Sequence, residues 1–182
     1  MQASNLEECL KPFINYLKTF QKNVILVAHN GKVFDARILV KSLQQAKLMD
    51  TFQEVVIGFV DTLTLFKSLL PGRKSDKQEG LVADCLHKSY NAHNGLADVQ
   101  ALRDLLAHMS PNNKALCSSS FSLGYITESL EQHGRMSLNY PSLLPLVHKK
   151  AISQAVAKRI AGAGLNLLHL QLIYARGGHA GL

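Results

Sequence analysis

The sequence predicts an α/β fold that continues into a helical C-terminal extension. Three observations carry this reading. Val24-Ile25-Leu26-Val27-Ala28 is β-branched and uniformly apolar, as a buried strand is. A helix-length segment and a second apolar run, at about Val55 to Val60, follow it. Strand, helix and strand in so short a span form a βαβ unit, with parallel strands joined by a right-handed crossover. Beyond residue 131 the acidic residues stop while helical patterning continues.

The elements follow in chain order. Ser4-Asn5-Leu6-Glu7 has the form of a capping box. Leu6, Cys9, Leu10, Phe13, Leu17 and Phe20 then recur at helical spacing. Pro12 either kinks this helix or sits in the first turn of one that begins near Lys11. After the 24–28 strand, Gly31 allows a turn, and Phe34 to about Leu48 reads as a helix with Phe34, Ile38 and Leu39 inward. Asp61-Thr62 ends the second strand and opens a helix through Leu70. Residues 71–80 are a polar loop, Leu81 to about Tyr90 is helical, and Leu96 to His108 more firmly so.

Residues 110–120 have the composition of a linker. Short helical patterns follow at 121–133, 149–162 and 164–174. Ile152, Val156 and Ile160 share one face, and Ala161-Gly162-Ala163-Gly164 permits a tight turn between helices. The expected organisation is a sheet domain at 1–109, a linker at 110–120 and a basic helical region at 121–182.

Composition narrows the class. The 182 residues suit one domain with an appendage, and a hydrophobic share of 47% is enough for a core. No apolar run approaches the roughly 20 residues that span a bilayer. The first ten residues lack the pattern of a signal peptide, so no membrane partner is expected. Cys9, Cys85 and Cys117 are scattered and odd in number, which fits a reducing nuclear or cytoplasmic location. The net charge is +7, and every one of the 13 Asp and Glu lies before residue 132. An acid-free basic segment suits a polyanion such as nucleic acid.

The tetrapeptide Ala-His-Asn-Gly occurs twice, at Ala28–Gly31 and Ala92–Gly95. The first copy closes a strand, and Asp35 follows at the start of a helix. Ligands of open α/β sheets collect at strand ends, yet a helix dipole also favours acids in a first turn. The second copy precedes a helix with Asp98 in its first turns, where a cap and a surface acid are the ordinary reading. No longer period recurs, so these are not copies of one duplicated unit.

Together, ILVAHNGKVFDARIL and SYNAHNGLADVQAL, with VDTL between them, resemble two of the three motifs of the DEDDh 3′–5′ exonuclease family. The resemblance covers roughly residues 5–108. It implies an RNase H-like fold and hydrolysis of DNA or RNA that depends on Mg²⁺ or Mn²⁺. In that chemistry two metals about 4 Å apart hold the scissile phosphate. Carboxylate oxygens suit hard Mg²⁺, and a histidine takes a proton from the attacking water. By resemblance Asp98 is a direct metal ligand and Asp35 serves the second metal. His93 is the general base, and His29 and Asn30 shape the strand end.

The family's first motif, D-x-E in a strand, does not occur here. Glu7 and Glu8 lie in a helical pattern, and Asp61 belongs to the VDTL position. The expectation is a partial RNase H-like fold lacking its N-terminal strands. A bare apolar edge along 24–28 and doubtful metal binding would follow. A truncated chain, an alternative start or splice form, a remnant, or a second chain that completes the sheet would account for the gap.

Residues 121–182, with SLLPLVHKKAISQAVAKRIAGAGLNLLHLQLIYARGGHAGL, resemble the exonuclease-like C-terminal regions of the promyelocytic leukaemia (PML) family and the PML-like exonucleases of fish. Lys149, Lys150, Lys158 and Arg159 are candidate phosphate contacts, beside the plainer reading of a helical hairpin packed on the sheet domain. The expected function is an exonuclease-family domain that binds or acts on nucleic acid and is impaired in hydrolysis. The alternative is a non-catalytic module that binds protein or nucleic acid.

Overall fold

A computed structural model describes residues 6–178. The chain forms two compact units, Met1–Ile126 and Thr127–Leu182. The capping box proposed at Ser4 to Glu7 lies partly outside the described residues.

The first unit opens with α1 (Leu6–Lys18), which contains Pro12 without interruption and buries Leu10, Ile14 and Leu17. β1 (Val24–Ala28) runs parallel to β2 (Val56–Asp61), in register from Ile25 opposite Gly58 to Ala28 opposite Asp61. Between them lie α2 (Asp35–Gln45), within the helix expected over 34–48, and the short α3 (Met49–Gln53), which has no counterpart in the sequence reading. α4 (Thr62–Leu69), α5 (Gln78–Leu86) and α6 (Gly95–Met109) follow. They share a core of Leu65, Phe66, Leu81, Val82, Leu102 and Leu105, each worth about 1.5–3 kcal/mol of transfer free energy when fully buried.

The segment expected as a linker is structured. It holds α7 (Asn113–Ser118) and a two-residue strand β3 (Ser120–Phe121), which pairs antiparallel with β2 through Phe59 and Val60. Its polar composition reflects helix capping: Asn112 accepts the Ala115 N–H at 2.9 Å.

The sheet order is β1-β2-β3, which leaves β1 at an edge. β1 is therefore not the buried strand its composition predicts; Ile25 and Val27 are 48% and 42% exposed. The same opening corrects the reading of α2. Ala36, Val40 and Leu43 face inward, whereas Phe34 and Ile38 are exposed.

The second unit is helical. α8 (Leu123–His148) starts in the first unit and runs on through Pro141 and Pro145. Those prolines and Gly134 are helix-breaking signals. Tertiary packing outweighs them, because Leu143 is wholly buried against Ala157 and Ala161 of α9 (Gln154–Gly162). Gly164, at φ +92°, makes the turn into α10 (Leu167–Gly177). Asn139 and Arg135 tie α8 to this turn by donating to the carbonyls of Ala161 and Gly162. No helix among the described residues is long and apolar enough to cross a membrane.

Candidate active site

The site begins with Asp61 at the end of β2. Its side chain is 3% exposed, and its carboxylate accepts three backbone N–H groups. Oδ1 takes those of Asn30 and Leu63, each at 2.9 Å, and Oδ2 takes that of Lys32 at 3.2 Å. One acid thus caps α4 and holds the turn that follows β1. This is why the two strands end together and the chain can reverse into α2. Asn30 sits in the left-handed region at φ +61°, which asparagine tolerates better than most residues. Gly31 lies so close to Ala28 that a Cβ would come within 2.8 Å of the Ala28 Cβ.

His29 is the second anchor. Its Nε2 lies 2.9 Å from the carbonyl oxygen of Asp76, and its Nδ1 lies 3.1 Å from Thr62 Oγ1. The carbonyl only accepts, so Nε2 carries the proton, and in the neutral ring Thr62 donates to Nδ1. Burial is the main cause that lowers the His29 pKa, ahead of the opposing bond to Asp76. His29 is thus a structural bolt between the strand end and the 71–80 loop.

The second copy is built differently. His93 has φ +65°, its side chain is 94% exposed, and its Nε2 is 3.8 Å from Glu79 Oε1. Asn94 caps α6, accepting the Ala97 N–H at 3.1 Å, which puts Asp98 in the helix's first turn. Gln78 donates to the Tyr90 hydroxyl at 3.2 Å and to the Asp98 backbone carbonyl at 2.8 Å. Tyr90 in turn is bonded to the Asp98 side chain; burial first, then that bond and the carboxylate's charge, raise the phenol's pKa.

His29, Asn30, Asp35, His93 and Asp98 all line one open cleft of about 850 Å³. Residues far apart in sequence meet there because β1, α2 and α6 converge on it. Glu7 and Glu8 do not line it. Asp61, Asp76, Gln78, Glu79 and Tyr90 were not singled out for this site from the sequence. Asp76 to Glu79 fall in what reads as a polar loop, and Asp61 reads as an ordinary helix cap.

The cleft does not fit a two-metal centre. Asp35 and Asp98 share it, but among the described residues no three His, Cys, Asp or Glu side chains are grouped to hold an ion. Its electrostatics are acidic on balance. Asp35, Asp76, Glu79 and Asp98 face it against Lys67 and Lys77, and Lys67 lies 4.0 Å from Asp76. Lys149, Lys150, Lys158 and Arg159 belong to the second unit, at the end of α8 and on α9.

The fold is a partial RNase H-like α/β fold with a helical extension. Residues 3–83 match the family model of the Exuperantia RNAse H-like domain. That match ends before His93 and Asp98.

Residues 139–182 match the model of the PML C-terminal domain. Across its whole length the chain is 25% identical over 183 residues to Protein PML of Mus musculus. It is 24% identical over 185 residues to Protein PML of Homo sapiens. It spans 19% of the length of these relatives. The chain is thus related to exonuclease-like and PML-type sequences, and its first unit has the character of a nuclease-derived domain.

Proposed function

We propose that the chain is a nucleic-acid-binding module of exonuclease descent, whose cleft receives a strand end and hydrolyses it slowly or not at all. The observation that carries this reading is the convergence of His29, Asn30, Asp35, His93 and Asp98 on one cleft where, among the described residues, no three His, Cys, Asp or Glu side chains are grouped to hold an ion. His93 is exposed and free to approach a water molecule, as a general base must. Asp35 and Asp98 alone do not balance the charge of two Mg²⁺ or Mn²⁺ ions, and among the described residues the other cleft carboxylates are not grouped with them to hold an ion, so hydrolysis is impaired. The open β1 edge, with Ile25 and Val27 exposed, suits a second chain that adds a strand there.

The test is digestion of 5′-labelled single-stranded DNA and RNA in Mg²⁺ by the purified chain. The expected result is intact substrate. Robust shortening that disappears in Asp98→Ala and His93→Ala variants would overturn the impaired reading and make this chain a working nuclease.

A further inference from the structure

The acidic balance of the cleft means that it offers shape more than attraction to a polyanion. The attraction lies in the other unit. Beyond residue 131 the chain has six Lys and Arg and no acid. Of the two acids earlier in that unit, Glu131 lies 3.6 Å from Arg135. Lys149, Lys150, Lys158 and Arg159 are all exposed, and none forms an ion pair among the described residues. Lys158 lies 6.0 Å from the centre of the Tyr140 ring, at the limit of a cation–π contact.

These four cations sit on ordered backbone. Lys150, at φ +57°, lies in the turn after α8. The Lys150 N–H bonds the Val147 carbonyl and the Ala151 N–H bonds that of Leu146, each at 2.9 Å. Ser153 then caps α9 by accepting the Val156 N–H at 3.2 Å. Burial of Ala157 and Ala161 turns Lys158 and Arg159 outward. Four like charges without partners repel one another and add nothing to folding; a bound polyanion offsets that cost.

We propose that Lys149, Lys150, Lys158 and Arg159 form a phosphate-binding face for single-stranded nucleic acid, carried by the turn after α8 and by α9 and separate in function from the cleft. An acidic protein segment is the competing ligand. The Exuperantia RNAse H-like match in the same chain favours nucleic acid. The face has cations and no array of base-reading groups, so it binds without sequence preference.

The experiment is fluorescence anisotropy of the full chain with labelled oligothymidylate across a salt series. Four phosphate contacts at about 0.7 each give a log–log slope near −2.8, or about a 50-fold loss of affinity between about 50 and about 200 mM salt. A variant with all four residues changed to Gln is expected to lose most of that slope with unchanged circular dichroism. Changing the three lysines to Arg is expected to keep it, which separates charge from structure. An unchanged slope in the Gln variant would overturn the proposal. So would competition by polyglutamate as effective as that by DNA. Asp98→Ala and His93→Ala are expected to keep the slope; a loss of slope there and not in the Gln variant would place the binding in the cleft instead.

Discussion

The two Ala-His-Asn-Gly segments have the same four residues and do opposite work. In the first, the residues are tied into the scaffold at the edge of the cleft. His29 bolts β1 to the 71–80 loop, the Asn30 N–H is held by Asp61, and Gly31 packs against Ala28. In the second, Asn94 caps a helix, His93 is exposed, and Gly95 has open space around it. A short motif therefore does not specify a role; the element that receives it does. A strand end beside a buried acid makes scaffold of the first copy. A helix start at an open cleft presents the second copy to solvent.

Removing Asp61 should break this contrast most severely. Asp61→Ala strands three backbone N–H groups, two of them in the turn after β1, and removes the cap of α4. Hydrogen bonds to a charged acceptor contribute roughly 1.5–3 kcal/mol each, with incomplete additivity. A total loss of about 3–5 kcal/mol is expected, lowering Tm by roughly 6–20 °C for a chain of this size. Scanning calorimetry measures it. A fall under about 1 kcal/mol would mean that the first copy is not held by Asp61.

The glycines give a smaller effect with a change of sign. Gly31→Ala drives a Cβ to within 2.8 Å of the Ala28 Cβ, backbone-anchored on both sides. Overpacking of this kind costs about 1–3 kcal/mol. Gly95→Ala meets nothing within 4 Å at the first residue of α6 and should stabilise by about 0.4–1 kcal/mol through the unfolded chain. Urea denaturation of the two variants measures both. Equal effects would erase the distinction between the copies.

Much of the fold was legible because local chemistry and tertiary context agree. The two strands, the parallel pairing and the helix after Asp61 follow from apolar runs and a cap, and packing reinforces each. The failures have physical causes. Val24–Ala28 has the composition of a central strand, but exposure depends on neighbours, and among the described residues β1 pairs with β2 alone. Phe34 and Ile38 look like core residues, yet the spacing of Ala36, Val40 and Leu43 defines the inward face of α2. The helix through Pro141 and Pro145 is held by Leu143 against α9, a contact between residues far apart in sequence. The cleft was legible in its carboxylates and histidines. Asp76, Gln78 and Glu79 were not, because composition does not reveal where a polar segment docks; this one docks through Gln78 on Tyr90 and Asp98 and through the bond from His29 to the Asp76 carbonyl.

That bond makes the smallest predicted effect, and the one that separates the two histidines. Burial lowers the His29 pKa in the folded protein relative to its unfolded value of about 6.5. Between those two values the unfolded chain binds more protons, so stability rises with pH there. The contribution of neutral His29 is whole above pH ~6.5 and falls as the solution is acidified through the lower, folded value. Protonation need not break the anchor to Asp76, since Nε2 already donates. It forces Thr62 to stop donating to Nδ1 and to turn toward the Ala28 carbonyl, 3.3 Å away. The penalty is therefore one of charge burial more than of lost bonds, and it is modest. His29→Gln should flatten the acid-side fall in Tm. His93→Gln, the matched change in the exposed copy, should leave that fall in place. A thermal-melt series from neutral to mildly acidic pH on the three proteins decides it, and an acid-side fall that persists unchanged in His29→Gln removes the buried histidine as its source.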